Sequence, residues 1–207
     1  GTAQFEIVGA LFFDDGSGVI APDVASSLLF DRNRNKWYLW ICAFGPHYLA
    51  RASFDGDVRR GIHVLDYRLL DRMEDGDDIT AFRGKRDDED PDFLYDAKSG
   101  KWHLVICRTV PGEKGKQDYR YFHYESTEPL DGYRFVGCSA QGSETGGSLV
   151  LLEDKIQFVC GSSYDRRAHY RVYTLPEFSS FGTLHCDYDD GGFRGWGTVI
   201  PVRDGNR

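Results

Sequence analysis

Three carboxylates stand where they could do chemistry together. Asp23, Asp90 and Glu144 each come shortly before a strand-like run, at Ser26 to Asp31, Pro91 to Asp96 and Gly147 to Leu152. Acids gathered in one pocket repel one another, which raises the pKa of one and leaves another ionised. A proton donor facing an ionised base is the machinery that hydrolyses a glycosidic bond. The same residues have a plainer use, because Asp and Glu ahead of a strand commonly accept hydrogen bonds from local backbone amides. Asp88 and Glu89 compete with Asp90 and are expected to be solvated loop charges. Asp31 and Asp96, at strand-to-turn junctions, are expected to bond their own turns.

A repeat is what would bring the acids together. Residues 86–108 run from an acidic cluster through Pro91 to Asp96, a Lys-Ser-Gly turn and a return strand from Lys101 to Arg108. Strands at Asp118 to Glu125 and Tyr133 to Gly137 complete that unit. The same order precedes it, at Ser26 to Asp31, Lys36 to Phe44, Tyr48 to Ser53 and His63 to Asp71. It follows again at Gly147 to Leu152, Lys155 to Gly161, His169 to Thr174 and Phe181 to Tyr188. Trp37 and Trp102 are 65 residues apart, and Trp102 and Ile156 are 54 apart. Four short antiparallel strands at that period are the blades of a β-propeller, an all-β fold.

The chain is therefore expected to form a single propeller domain over residues 1–207, with blades at about 23–71, 90–137 and 144–188 and a further blade opening at Trp196. Phe5 to Phe13 is strand-like and is assigned to a neighbouring blade, while Tyr67 to Ile79 is expected as an acidic loop. Three blades plus fragments do not close a ring, so a truncated piece of a longer propeller is expected. Its open blade edges would invite self-association. In a propeller the leading ends of the innermost strands point at the axis, and Asp23, Asp90 and Glu144 lie at those ends.

The totals narrow the function classes. A chain that is 41% hydrophobic and 14% aromatic can bury a core, which excludes disorder. A net charge of −8 argues against nucleic acid, whose phosphates must be met by Lys and Arg. No run approaches the ~20 apolar residues of a membrane-spanning helix, and the N-terminus lacks the basic-then-apolar order of a signal peptide. The five cysteines, Cys42, Cys107, Cys138, Cys160 and Cys186, form no CxxC pair. Cys42, Cys107 and Cys160 fall at related places in the repeat and are expected as small buried core residues. His47, His103 and His123 show no metal-ligand spacing, so no metal site and no cofactor are expected.

Asp90-Pro91, Asp96 and the hairpin Gly100-Lys101-Trp102-His103-Leu104 resemble the Asp-Pro strand and following Gly-Lys-aromatic hairpin of the five-bladed propeller glycosidases. These are the superfamily around glycoside hydrolase families 43 and 32, and the likeness in blade order runs from about residue 20 to 202. It implies a general base in the first blade, an orienting and pKa-tuning Asp in the second and a general acid in the third. By position these fall on Asp23, Asp90 and Glu144, and the family likeness implies an inverting hydrolase. Two departures mark this chain. Aligning Phe30-Asp31 with Tyr95-Asp96 puts Ala25 opposite Asp90, and the third-blade Glu-Gly-Pro of the family is here Glu144-Thr145-Gly146-Gly147.

A carbohydrate partner needs flat apolar faces and hydroxyl-binding donors. Trp40, Phe44 and Trp196 are the candidate stacking faces, and Arg108 and Arg194 the candidate donors, with packing between blades the competing use of every aromatic. A structural Ca²⁺ at the axis is compatible with the resemblance and is not called for by the residues. A bacterial source and a secreted or periplasmic location are implied by the resemblance alone. The displaced acids keep two other functions open: a carbohydrate-binding propeller without catalysis, and a protein-interaction propeller.

Overall fold

The computed structural model describes residues 11–13, 22–43, 48–55, 62–66, 88–112, 117–140, 146–165 and 167–187. These form thirteen strands, and no helix occurs among the described residues. Strands β1 (Leu11–Phe13), β2 (Pro22–Asp31), β3 (Lys36–Ala43), β4 (Tyr48–Asp55) and β5 (Ile62–Asp66) make one sheet in the order β1-β5-β4-β3-β2. The second sheet is β6 (Asp88–Asp96), β7 (Lys101–Pro111), β8 (Gln117–Ser126) and β9 (Arg134–Cys138). The third is β10 (Gly147–Leu152), β11 (Lys155–Asp165), β12 (Arg167–Thr174) and β13 (Ser179–Asp187). Each consecutive pair from β2 to β5, β6 to β9 and β10 to β13 is antiparallel, the meander expected of a blade.

The N-terminal strand differs from its expected place. Its described part, Leu11–Phe13, runs parallel to β5 in the register Leu11↔Ile62, on the outer edge of the first sheet and not in a neighbouring one. An outer strand leaves a row of unpaired amides and carbonyls, and β1 covers that edge. The segments from 67 to 79 and from Trp196 onward lie outside the described residues.

Local chemistry closes the hairpins. Asp31 Oδ1 accepts from the amides of Asn33 (2.9 Å) and Arg34 (3.2 Å). Asp96 does the same for Lys98 (2.9 Å) and Ser99 (3.3 Å), and Gly100, at φ 70°, donates to the Asp96 carbonyl. These are the turn bonds expected of both aspartates. The third hairpin is tighter: two residues, Glu153 (φ 48°) and Asp154 (φ 61°), join the strands, and left-handed backbone at both central positions matches the twist of paired strands.

The sheets stack through alternating faces of β7. Trp102, Leu104 and Ile106 pack in one cluster with Tyr38 and Trp40 of the first sheet. Val105 and Cys107, one residue out of phase, pack in another with Leu149, Phe158 and Cys160 of the third. Successive strand residues point to opposite faces, so a sheet sandwiched on both sides must be apolar at nearly every position. That is why residues 102–110 are all buried. Trp102 anchors the first contact, stacked on Phe93 at 5.8 Å and edge-on to Tyr38 at 5.5 Å, and full burial of such a ring stabilises by about 3 kcal/mol. Cys107 and Cys160 are buried, as their places in the repeat imply, while Cys138 is exposed.

Candidate active site between the blades

The inner strands β2, β6 and β10 lie beside one another, β6 between the other two. At its leading end β6 departs from regular pairing. Glu89 pairs with Cys107 and Asp92 with Val105, so Asp90 and Pro91 together oppose the single residue Ile106. This is a β-bulge, and Asp90 takes the left-handed φ of 49° within it. The bulge aims the half-buried Asp90 carboxylate at the start of the third blade, where Oδ2 accepts the Gly146 amide at 2.7 Å. Burial raises the Asp90 pKa above the ordinary carboxylate value, and the Gly146 hydrogen bond opposes the shift.

Glycine at 146 is a requirement of this contact. A Cβ there would lie 2.1 Å from Asp90 Cβ, and one on Gly147 would lie 2.4 Å from the Val159 carbonyl. The Gly146-Gly147 pair is what allows β10 to approach β6 closely enough for an amide to reach the acid.

Asp92 holds the three blades together. Its Oδ1 accepts from the Ser27 hydroxyl of β2 at 2.5 Å, and its Oδ2 accepts from the Leu149 amide of β10 at 2.6 Å. Desolvation lifts its pKa to about 6, overriding the hydrogen bonds from Ser27, Leu149 and Phe93 that favour the ionised form. The sequence reading passed over this residue, although a signal exists. Counted back from Asp31, Asp96 and Leu152, where each inner strand meets its turn, the same position holds Ser27, Asp92 and Ser148. A polar residue at the same register position of all three inner strands marks a shared polar seam.

The expected site residues fare differently. The Asp23 backbone lies in β2 inside a second irregularity, where residues 23–25 oppose the single residue Cys42 between the pairs Pro22↔Ala43 and Ser26↔Ile41. The two acids therefore share a structural context, the bulge at the leading end of an inner strand. The β2 bulge is one residue longer, which reduces the offset between Asp23 and Asp90 from two residues to one when counted from Pro22 and Asp88. Glu144, Phe44, Arg194 and Trp196 lie outside the described residues, and Gly146 is two residues beyond Glu144.

Two proposed sugar contacts are packing residues in this chain. Trp40 is fully buried, edge-on to Tyr133 at 5.6 Å, with its indole N–H donating to the Pro129 carbonyl at 3.3 Å, so no face of the ring is open. Arg108 is buried too, its guanidinium 4.6 Å above the Phe122 ring, a cation–π contact inside the blade stack in place of an open donor. His47 lies outside the described residues, but His103 and His123, 20 residues apart in sequence, stack across β7 and β8 with Nδ1 of one 3.0 Å from Nε2 of the other.

No protein-family model matches the chain, and no curated protein does. Solved structures do match. A GH43 β-1,3-galactosidase solved with galactodeoxynojirimycin superposes at a TM-score of 0.57 and 15% identity, covering 85% of this chain and 64% of its own. The exo-β-1,3-galactanase of Phanerochaete chrysosporium, solved with β-1,3-galactotriose, gives 0.54 and 6%, covering 85% and 41%. A family 117 glycoside hydrolase of Zobellia galactanivorans gives 0.52 and 13%, covering 90% and 58%. These neighbours are five-bladed β-propeller enzymes. At such identities the likeness is one of fold: the three sheets are blades of a β-propeller. The chain spans less than two thirds of the length of each of these three.

Proposed function

We propose that the chain belongs to a glycoside hydrolase acting on a glycan by acid–base catalysis with inversion. Glu144 protonates the leaving oxygen, Asp23 activates the attacking water, and Asp90 orients the acid and keeps its pKa high. The observation that supports this most directly is the 2.7 Å hydrogen bond from Gly146 to Asp90. It ties the second-blade acid to the backbone two residues beyond Glu144, where a pKa-tuning carboxylate is needed. The partial burial of Asp90 adds to the argument, because a carboxyl whose pKa burial has raised polarises its neighbours differently from a solvated one. An inverting pair needs about 6.5 to 9.5 Å between acid and base to admit water. Inner strands of a first and a third blade, separated by the second, leave room for such a gap.

β-1,3-linked galactosides are the first substrates to try, since two of the matched structures act on them. Turnover of such a substrate, or of another found by screening a glycan panel, is expected to fall by about 10²–10⁴-fold in Glu144→Gln and in Asp90→Asn. Unchanged turnover in either variant would remove that residue from the mechanism. A second reading is favoured by the one-residue offset of Asp23: a carbohydrate-binding propeller without catalysis. Glycan binding with no turnover in the unsubstituted chain would establish it.

A further inference from the structure

A second group of ionisable side chains lies off the axis, on the middle strands of the second blade. His103 and Glu125 are direct partners across β7 and β8, and His123 is the partner of Val105, two residues along on the same face. That face is turned toward the third blade, where the His123 ring meets Phe178 edge-on at 6.5 Å. Asp90 opposes Ile106, three residues along β7 from His103, or about 10 Å at the rise of a strand.

The three side chains converge. The imidazoles stack at 5.2 Å with 16° between planes, His103 Nδ1 is 3.0 Å from His123 Nε2, and Glu125 Oε1 is 3.6 Å from the same His103 nitrogen. One donor atom from each residue lies within 4.8 Å of the others. A tetrahedral ion with metal–nitrogen bonds of about 2.0–2.1 Å has ligand-to-ligand edges of roughly 3.3 Å. The two measured separations straddle that edge. Lys101 Nζ, 2.5 Å from Glu125 Oε2, engages one carboxylate oxygen and leaves the other beside the imidazoles, the kind of support that orients a metal ligand.

Burial fits the same use. His103 is 4% exposed and His123 is 1% exposed, and this burial lowers the pKa of both imidazoles, which favours the neutral form that binds metals. Their outward nitrogens, His103 Nε2 and His123 Nδ1, have no hydrogen-bond partner. Each can therefore take the proton, freeing the two inward nitrogens to act as ligands together.

We propose that His103, His123 and Glu125 form a binding site for one divalent first-row transition metal ion of the zinc type, held by two imidazole nitrogens and one carboxylate oxygen between the second and third blades. Imidazoles suit Zn²⁺, Co²⁺ and their neighbours, whereas Ca²⁺ and Mg²⁺ require oxygen donors. The site is separate from the acidic axis, and its ion would link β7 to β8, the middle strands of the second blade, on the face turned toward the third.

The test titrates the metal-free full chain with Co²⁺ and then Zn²⁺. One Co²⁺ per chain is expected, with the intense visible absorption of a four-coordinate site, lost on adding one equivalent of Zn²⁺. Glu125→Gln is expected to weaken binding at least 10-fold, and His123→Gln to abolish it. Two further histidines, His169 and His185, are register partners on β12 and β13. Replacing both with Gln is expected to leave the titration unchanged. If His123→Gln does not fold, imidazole ¹⁵N shifts of the unsubstituted chain decide instead, with His103 Nδ1 and His123 Nε2 moving on Zn²⁺ addition. Absence of Co²⁺ binding, binding indifferent to Glu125→Gln, or a signal that vanishes with His169 and His185 would each overturn the proposal.

Discussion

Asp92 and Asp96 sit four residues apart on the same face of the same strand, and their environments push them in opposite directions. Asp96 accepts from its own turn, and hydrogen bonding led by Ser99 holds its pKa below the ordinary carboxylate value. Asp92 also accepts hydrogen bonds, yet desolvation raises its pKa to about 6. Both are well covered, so the difference lies in what covers them. Asp96 is wrapped by a single turn at the rim, whereas Asp92 is enclosed by three sheets, and its donors Ser27 and Leu149 come from the blades on either side. One end of β6 is built from local bonds and the other from borrowed ones.

The sharpest way to break the borrowed end is to deny it its close approach. Gly146→Ala would place a Cβ 2.1 Å from Asp90 Cβ and displace the amide bonded to Asp90. Overpacking plus a lost buried hydrogen bond is expected to cost on the order of 4 kcal/mol. At the local end, Gly100→Ala meets nothing within 4 Å and carries only the penalty of its φ of 70°, about 1 kcal/mol. Urea unfolding of both variants measures the ratio. Equal losses would mean that the blades separate at little cost, and recovery by the double change Asp90→Gly with Gly146→Ala would assign the larger loss to that contact.

The two aspartates should also respond to pH with opposite sign. Asp92 has a folded pKa near 6, above its ordinary 3.8, so the folded state holds its proton more tightly than the unfolded state. Its contribution is fully present below about 3.8, is lost as pH rises to about 6, and is constant above. The change is about 3 kcal/mol across that window. Asp92→Asn removes it, so the variant should gain on the unsubstituted chain between pH 4 and 6.5 in urea midpoints. Asp96, with its pKa lowered, contributes stability above the ordinary carboxylate value and loses it as pH falls. Asp96→Asn should therefore close on the unsubstituted chain as the solution is acidified. Parallel curves for Asp92→Asn would show that water reaches its carboxylate in the folded chain.

The same contrast explains what could be read from the sequence. The hairpins were legible because their chemistry is local: Asp96, Lys98, Ser99 and Gly100 are neighbours, and the same turn recurs at Asp31. The recurring order of four strands and the 65-residue spacing of Trp37 and Trp102 gave the blades. The partners of Asp92 are 57 and 65 residues away, so nothing adjacent to it announces the seam. His103 and His123 are joined only by the β7–β8 register, which no spacing rule encodes. Leu11–Phe13 pairs in parallel with β5, without the short turn that makes antiparallel neighbours visible. Trp40 and Arg108 look the same in sequence whether they bind a ligand or fill the stack, and only burial separates the two uses.

The rim supplies the smallest test, because it too links blades, but through solvent. Lys98 Nζ lies 2.9 Å from Asp154 Oδ2, joining the turns of the second and third blades, and Arg34 lies 3.3 Å from Glu128, joining the first and second. Both are within ion-pair distance, although longer than the bonds of Asp92. Both partners of each pair are more than two-fifths exposed, however, so water screens the attraction and the long side chains lose entropy in holding one geometry. Lys98→Ala is expected to move the urea midpoint least of all these variants, and any loss should disappear in 1 M salt, where charges are screened within ~3 Å. The difference between the Asp92→Asn and unsubstituted curves should survive the same salt, since its cause is desolvation and not an exposed charge pair. A loss in Lys98→Ala comparable to that of Gly146→Ala would place the cohesion of the blades at their rim and reduce the polar seam to a secondary role.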